Sequence, residues 1–346
     1  MFNFFHRFIK RPYYALKRHV FNHVMEGNFS KPFHFFLALI KNKVFGYPYL
    51  AIVETGNYCN LRCPTCTTPH NKIHRKKELM SLQSLKKIID NIKDSVHVVL
   101  LYNSGEPLLH PDISEMINYA HRNNLHTVIS TNATLLDEKL ANKLLHSGLD
   151  EILLCLDGVT KKSQEAFRVG SNFDEVLKNI SYFCHRKREL RLRKPYIELQ
   201  FILNKFNQKE IKEIKKLAKE LKVDRLHIKS FCLAEYAYTK EEIKDLSEKF
   251  LPDSEKHKEK IIYSKTKEGL LKPKKEIPIC SLVKTQIVVL VDGRVSMCCY
   301  DLNGEYVYGD VLNNKLKDIW FSKKAKEMRK SASHRKYPLC KVCAIF

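Results

Sequence analysis

Three thiols stand within eight residues in Cys59-Asn60-Leu61-Arg62-Cys63-Pro64-Thr65-Cys66, directly after the apolar run Leu50-Ala51-Ile52-Val53. Short loops that present several thiolates at once hold soft metals and iron–sulfur clusters. No fourth cysteine lies nearby. A closed structural zinc site wants four ligands, whereas three protein ligands leave one metal position open for chemistry. The C-x3-C-x2-C spacing is also denser than the paired knuckles of zinc ribbons, which favours a cluster and keeps zinc as the alternative. A second group, Cys280, Cys298, Cys340 and Cys343, marks the C-terminal part, with Cys299 beside the second member. Four thiolates that include a C-x2-C suit zinc or a cluster. Cys298 is preferred to Cys299 on the strand alternation set by Val295 and Met297.

From residue 50 onward, apolar strand-like runs alternate with helical stretches, which predicts an α/β domain with a parallel sheet. Strands are expected at 50–55, 96–103, 126–131, 150–156, 195–203 and 224–230. Helices are expected at Leu82 to Ile92, Ile113 to Arg122, Glu138 to Leu145, Val176 to Arg188 and Glu210 to Leu221. Six βα units make either a closing sheet with helices on one side or an open sheet with helices on both. In such folds function gathers at the carboxyl ends of the strands. The unusual residues fall there: the cysteine loop, Asn103-Ser104-Gly105-Glu106-Pro107, Ser130-Thr131-Asn132, Asp157-Gly158, and Lys229, Ser230 and Cys232. One shared mouth is expected.

The chain has 346 residues, 61 Lys+Arg against 38 Asp+Glu and a net charge of +23. That field favours an anionic partner, and the alternative is a solvated lysine-rich surface. Eleven cysteines grouped in pairs and triples, without a recognisable signal peptide, point to metal ligation in a reducing, cytoplasmic compartment rather than to disulfides. No apolar run approaches the ~20 residues of a membrane span. Residues 1–48 are expected to form a separate basic, aromatic extension. Arg7, Lys10, Arg11, Lys17 and Arg18 precede the first acid, Glu26, and Tyr13, Leu16, Val20 and Val24 have helical spacing. Such a helix packs its apolar face on the domain behind it or touches an anionic membrane through residues 1–25, leaving the protein peripheral to the membrane.

C-x3-C-x2-C after a first strand resembles the motif of the radical S-adenosylmethionine (radical SAM) enzymes, and the resemblance extends over most of the chain. It implies a partial (βα)6 TIM-like barrel over residues 49–235. In that family, three cysteines hold three irons of a 4Fe–4S cluster and S-adenosylmethionine chelates the fourth; Cys59, Cys63 and Cys66 match them. Thr65 stands where many relatives carry an aromatic. Ser104-Gly105-Glu106 is similar to the stretch that binds the cofactor's amino group, and Ser130 and Asn132 to the ribose-contacting stretch. Asp157 matches the S-L-D-G stretch, with Cys155 for its Ser. Arg168 corresponds to an arginine that pairs with the cofactor carboxylate, a job suited to a planar, bidentate fork. A helical linker over 236–275 then leads to residues 276–346, whose β-hairpin and helix segments resemble the SPASM/twitch extension. There Cys280, Cys298, Cys340 and Cys343 would hold one auxiliary 4Fe–4S cluster.

The resemblance implies reductive cleavage of S-adenosylmethionine to a 5′-deoxyadenosyl radical. The radical would take hydrogen from an unidentified, anionic substrate, with electron transfer to the auxiliary cluster. A flavodoxin or ferredoxin would be the reductant. The alternatives are a radical SAM enzyme that modifies RNA or a peptide, and a non-catalytic zinc or iron–sulfur interaction protein. No DNA partner is expected. Cys155 and Cys184 read as small buried hydrophobes. Cys232 is a candidate catalytic proton donor or radical relay.

Overall fold

A computed structural model describes residues 20, 22–25, 27, 29–275 and 278–344. The helix expected after Pro12 lies outside the described residues. Six strands, β1 (Leu50–Val53), β2 (Val98–Leu100), β3 (His126–Thr131), β4 (Glu151–Cys155), β5 (Tyr196–Leu203) and β6 (Arg225–Ser230), pair in parallel, each with the next. Helices α2 (Leu82–Ile92), α3 (Ile113–Arg122), α4 (Glu138–Leu145), α5 (Lys161–Phe167), α6 (Phe173–Glu189) and α7 (Ile211–Glu220) alternate with them, after an N-terminal α1 (Ser30–Phe45). Their starts are written locally: Ser81, Asp137 and Asn172 each accept a bond from the backbone N–H three residues on. Such caps contribute about 1 kcal/mol each.

Strand alternation divides the core in two. Ala51, Val53, Val99, Leu101, Ile129 and Leu154 face outward onto Leu85, Ile88, Ile89 and Ile92 of α2 and their counterparts on the other helices. Leu50, Ile52, Val98, Leu100, Val128 and Leu153 face inward and meet Phe35 and Ala38 of α1. The α1 helix thus plugs the sheet where its strands begin; it ends at Gly46, whose left-handed φ of 70° suits glycine. Residues 30–45 thus pack on the barrel.

The C-terminal part is not a separate module hung on the barrel. Beyond α8 (Lys240–Phe250), the expected helical linker also contains an antiparallel pair, β7 (Tyr263–Lys265) with β8 (Leu271–Pro273). Strand β9 (Gln286–Val289) then adds in parallel to β1, and β10 (Arg294–Ser296) and β11 (Val307–Asp310) continue antiparallel. One nine-stranded sheet runs β11-β10-β9-β1-β2-β3-β4-β5-β6. Three short helices, α9 (Leu316–Trp320), α10 (Lys323–Ser333) and α11 (Pro338–Lys341), complete the chain.

Candidate functional site

The carboxyl ends of the strands surround a cavity of about 190 Å³ lined by Cys59, Cys63 and Cys66. Gly105, Glu106, Ser130, Asn132 and Arg168 share its wall. The cysteine loop is pinned by Arg62 N–H donating to Val169 O at 2.8 Å and Cys66 N–H donating to Cys63 O at 3.0 Å. Donors already face the sulfurs: Leu61 N–H lies 3.4 Å and Asn132 Nδ2 3.7 Å from Cys59 Sγ, and Arg168 Nη1 3.9 Å from Cys63 Sγ. Burial pushes the Cys59 thiol up to about 12 and that of Cys63 up to about 11. These groups are neutral at pH 7 until a bound cation draws off their protons.

Glu106 is buried, and its carboxylate accepts from Thr131 Oγ1 at 2.7 Å, Asn132 N–H at 2.8 Å and Leu108 N–H at 3.0 Å. Burial pushes this carboxyl up, and those bonds pull it back only in part. A positively charged group in the cavity completes its pairing. Arg168 donates through Nε to Asp157 at 2.6 Å, and Asp157 Oδ1 takes Ile202 N–H at 2.5 Å. One edge of the guanidinium is thereby held, and the rest is turned to the cavity, as carboxylate binding requires. Gly105 has a φ of +80°, and a Cβ there would stand 2.6 Å from Tyr58 O, so only glycine lets this turn close on the cysteine loop. Both polar atoms of the Asn103 side chain are buried in the wall with no hydrogen-bond partner among the described residues, which leaves them for a ligand. Three thiols, an acid, an arginine and an unsatisfied amide fit a three-cysteine cluster carrying an amino-acid-bearing cofactor.

Two residues assigned to the cofactor stand behind the wall. Ser104 Oγ donates to Glu54, and Asp157 acts on the cavity through Arg168. Cys155 is not an apolar filler: it lines the cavity, with Ser130 Oγ 3.6 Å from its sulfur. Cys184 is buried in the core as expected of a small hydrophobe. Cys232 is not brought to the cavity; its sulfur lies 3.6 Å from Tyr263 Oη. The sequence reading missed Glu54. Buried at the end of β1, it takes both Arg75 Nη atoms at 2.8 Å and Val291 N–H at 3.0 Å. An acid closing an apolar strand was the available signal.

Cys280, Cys298, Cys340 and Cys343 pack in one group around Val283, Met297 and Leu339. Cys299 turns instead into the barrel interior, where Gln286 Nε2 lies 3.5 Å from its sulfur. A tetrahedral zinc with Zn–S bonds near 2.3 Å draws its thiolates to within ~4 Å of one another. Among the described residues, neither cysteine group gathers three thiols within 4.8 Å.

Residues 53–189 match the model of the radical SAM superfamily, and residues 280–344 match that of the SPASM iron–sulfur cluster-binding domain. The Fe-coproporphyrin III synthase of Methanosarcina barkeri is 32% identical over 168 residues, 49% of this chain and 40% of that protein. The tungsten-containing aldehyde ferredoxin oxidoreductase cofactor-modifying protein of Pyrococcus furiosus is 24% identical over 319 residues, 86% of this chain and 87% of the relative. The PqqA peptide cyclase of Gluconobacter oxydans is 27% identical over 181 residues, 52% of this chain and 49% of that one. The match thus spans about half or less of the length of the first and third relatives. Among solved structures, Streptococcus suis SuiB bound to its precursor peptide SuiA superposes with a TM-score of 0.59 at 17% identity, covering 88% of this chain and 73% of that one. The anSMEcpe structure with bound AdoMet gives 0.59 at 16% identity, covering 86% and 85%. The chain belongs to the radical SAM superfamily, with S-adenosylmethionine and 4Fe–4S clusters as its cofactors and a SPASM domain at its C-terminus.

Proposed function

We propose that this radical SAM enzyme oxidises an anionic substrate, taking a hydrogen atom from an unreactive carbon and passing a second electron toward the C-terminal cysteine group. Bound and reduced, the cluster and S-adenosylmethionine supply a 5′-deoxyadenosyl radical; the chain's own residues position and shield. Glu106 and Arg168 would hold the two charged ends of the cofactor's amino-acid moiety, and Leu61, Tyr102 and Ile202 in the cavity wall would keep water from the reacting carbon. The hydrogen atom leaves with 5′-deoxyadenosine, and a proton and one electron leave afterwards, so the substrate is oxidised by two electrons.

The observation that carries the anionic reading is the charge around the mouth. Lys229 lines the cavity and has no salt bridge to a described residue. A second hollow of about 980 Å³, separate from the cysteine-lined cavity, has Lys240, Lys272, Lys275, Arg335 and Lys341 in its wall and one acid, Glu235, among its described lining residues. Carboxylates or phosphates are drawn to such a lining. A peptide substrate is the second reading, favoured by the likeness to the PqqA peptide cyclase.

The test is anaerobic turnover of dithionite-reduced protein with carbon-deuterated candidates offered as free acids and as their methyl esters. Deuterium is expected in 5′-deoxyadenosine from the acids, with the esters at least about tenfold poorer. Equal transfer from both overturns the anionic reading. Cys63→Ala is expected to abolish 5′-deoxyadenosine formation, and retained formation removes the cluster-bound cofactor from the account.

A further inference from the structure

The α1 helix is apolar on two opposite faces. Lys31, Pro32, Phe35 and Ala38 are buried against the barrel. The other side carries Phe33 (66% exposed), Phe36 (48%), Leu37 (38%), Ile40 (52%) and Val44 (68%), preceded by Phe29 (67%). Positions 33, 36, 37, 40 and 44 fall at helical spacing, so these side chains form one continuous stripe along the helix. Scattered exposed hydrophobes need no explanation, but a contiguous stripe of this kind marks a surface that meets something apolar.

The flanking charge says what. Between Glu26 and Glu54 the sequence has no acid and three lysines, and the first 53 residues hold eight Lys and Arg against that single Glu26. Lys31 is spent on buried Asp150, and Lys41 donates to Asp94 O. Lys43 is exposed beside the stripe. A second copy of the chain laid on this face would bring two such basic regions together. A bilayer with anionic headgroups offers apolar depth for the phenylalanines and complementary charge for the basic surroundings.

We propose that α1 is a membrane-docking element, its outer face inserted at the surface of an anionic bilayer while its inner face stays seated in the barrel. In this proposal the apolar contact lies on residues 29–45. Because α1 covers the amino ends of the parallel strands, the cysteine-lined cavity opens on the side away from the lipid.

Flotation of the full-length, cluster-loaded protein with phosphatidylcholine vesicles containing about one quarter phosphatidylglycerol tests this. Wild type is expected to float with the vesicles, and both salt and removal of the phosphatidylglycerol are expected to weaken it. Phe33→Ser with Ile40→Ser is expected to lower the bound fraction at least about tenfold, and Val44→Ser to lower it less. Cleavage of S-adenosylmethionine should be unchanged in these variants. The single tryptophan, Trp320, which donates to Gly46 O at the end of α1 at 2.7 Å, should keep its buried emission. Wild type that does not float overturns the proposal. It is also overturned if the double variant floats as well as wild type, or if a wild-type dimer becomes a monomer in the double variant.

Discussion

The two ends of the barrel are both rich in buried polar groups, and they use them in opposite ways. At the amino ends of the strands, Asp150 takes Lys31 Nζ at 2.6 Å, Lys194 Nζ at 3.3 Å and Thr127 N–H at 2.9 Å. His126 Nε2 lies 3.0 Å from Glu151 there. Ligand-type atoms of His23, His126 and Asp150 even come within 4.8 Å of one another, as around a metal ion. Burial opposes charge on Asp150, and its cationic neighbours, Lys31 foremost, outweigh it, holding its carboxyl well below the usual range. Burial holds the His23 imidazole neutral, its pKa lowered to about 2. Two ammonium groups already neutralise this carboxylate, so a metal cation has nothing to gain. At the carboxyl ends, among the described residues, the sulfurs have only weak donors, Asn103 has no hydrogen-bond partner, and Glu106 forms no salt bridge, with Arg168 acting on it only from a distance. Donor types alone do not make a site; the charge already gathered around them decides whether a cation is wanted.

Four substitutions sharpen this contrast. Cys340→Ala with Cys343→Ala is expected to abolish product while 5′-deoxyadenosine formation stays within about twofold, and to remove roughly half the iron. Product and iron assays read it, and unchanged product takes the C-terminal group out of the reaction. Arg168→Met strips the cation from the mouth. Cleavage is expected to fall at least about a hundredfold in single-turnover assays, as for loss of a charged group aimed at a reacting ligand. Lys31→Ala, at the closed end, is expected to cost about 3–5 kcal/mol in urea unfolding, because Asp150 loses its nearest cation. Folded Lys31→Ala protein should cleave at the wild-type rate.

The smallest effect concerns Glu235, whose carboxyl burial raises from 4.5 to about 7. The folded protein keeps a proton that the unfolded chain releases in that window, so raising the pH from 4.5 to about 7 removes stability. Glu235→Gln should therefore be neutral below the window and stabilise by on the order of 1 kcal/mol above it, read by thermal melts across pH.

Much of the fold was legible because each βα unit writes its own period and caps. Leu82–Ile92, Ile113–Arg122 and Glu138–Leu145 have the bounds expected from pattern alone. Nothing local announces that Gln286–Val289 lies beside Leu50–Val53, more than two hundred residues earlier. Nor does local pattern reveal that Phe35 fills the barrel. In the site, the thiols, Glu106 and Arg168 were visible as motif positions. The inward turn of Cys155 and the outward turn of Ser104 depend on strand register, which motif spacing does not encode.

The parallel pairing of β9 with β1 has a consequence for electron traffic. The loop bearing Cys59 leaves one strand, and the hairpin bearing Cys298 leaves its hydrogen-bonded neighbour. One segment of each cysteine group is thus attached to the same hydrogen-bonded sheet. In the electron transfer proposed above, those paired strands would tie the donor end of the path to the acceptor end.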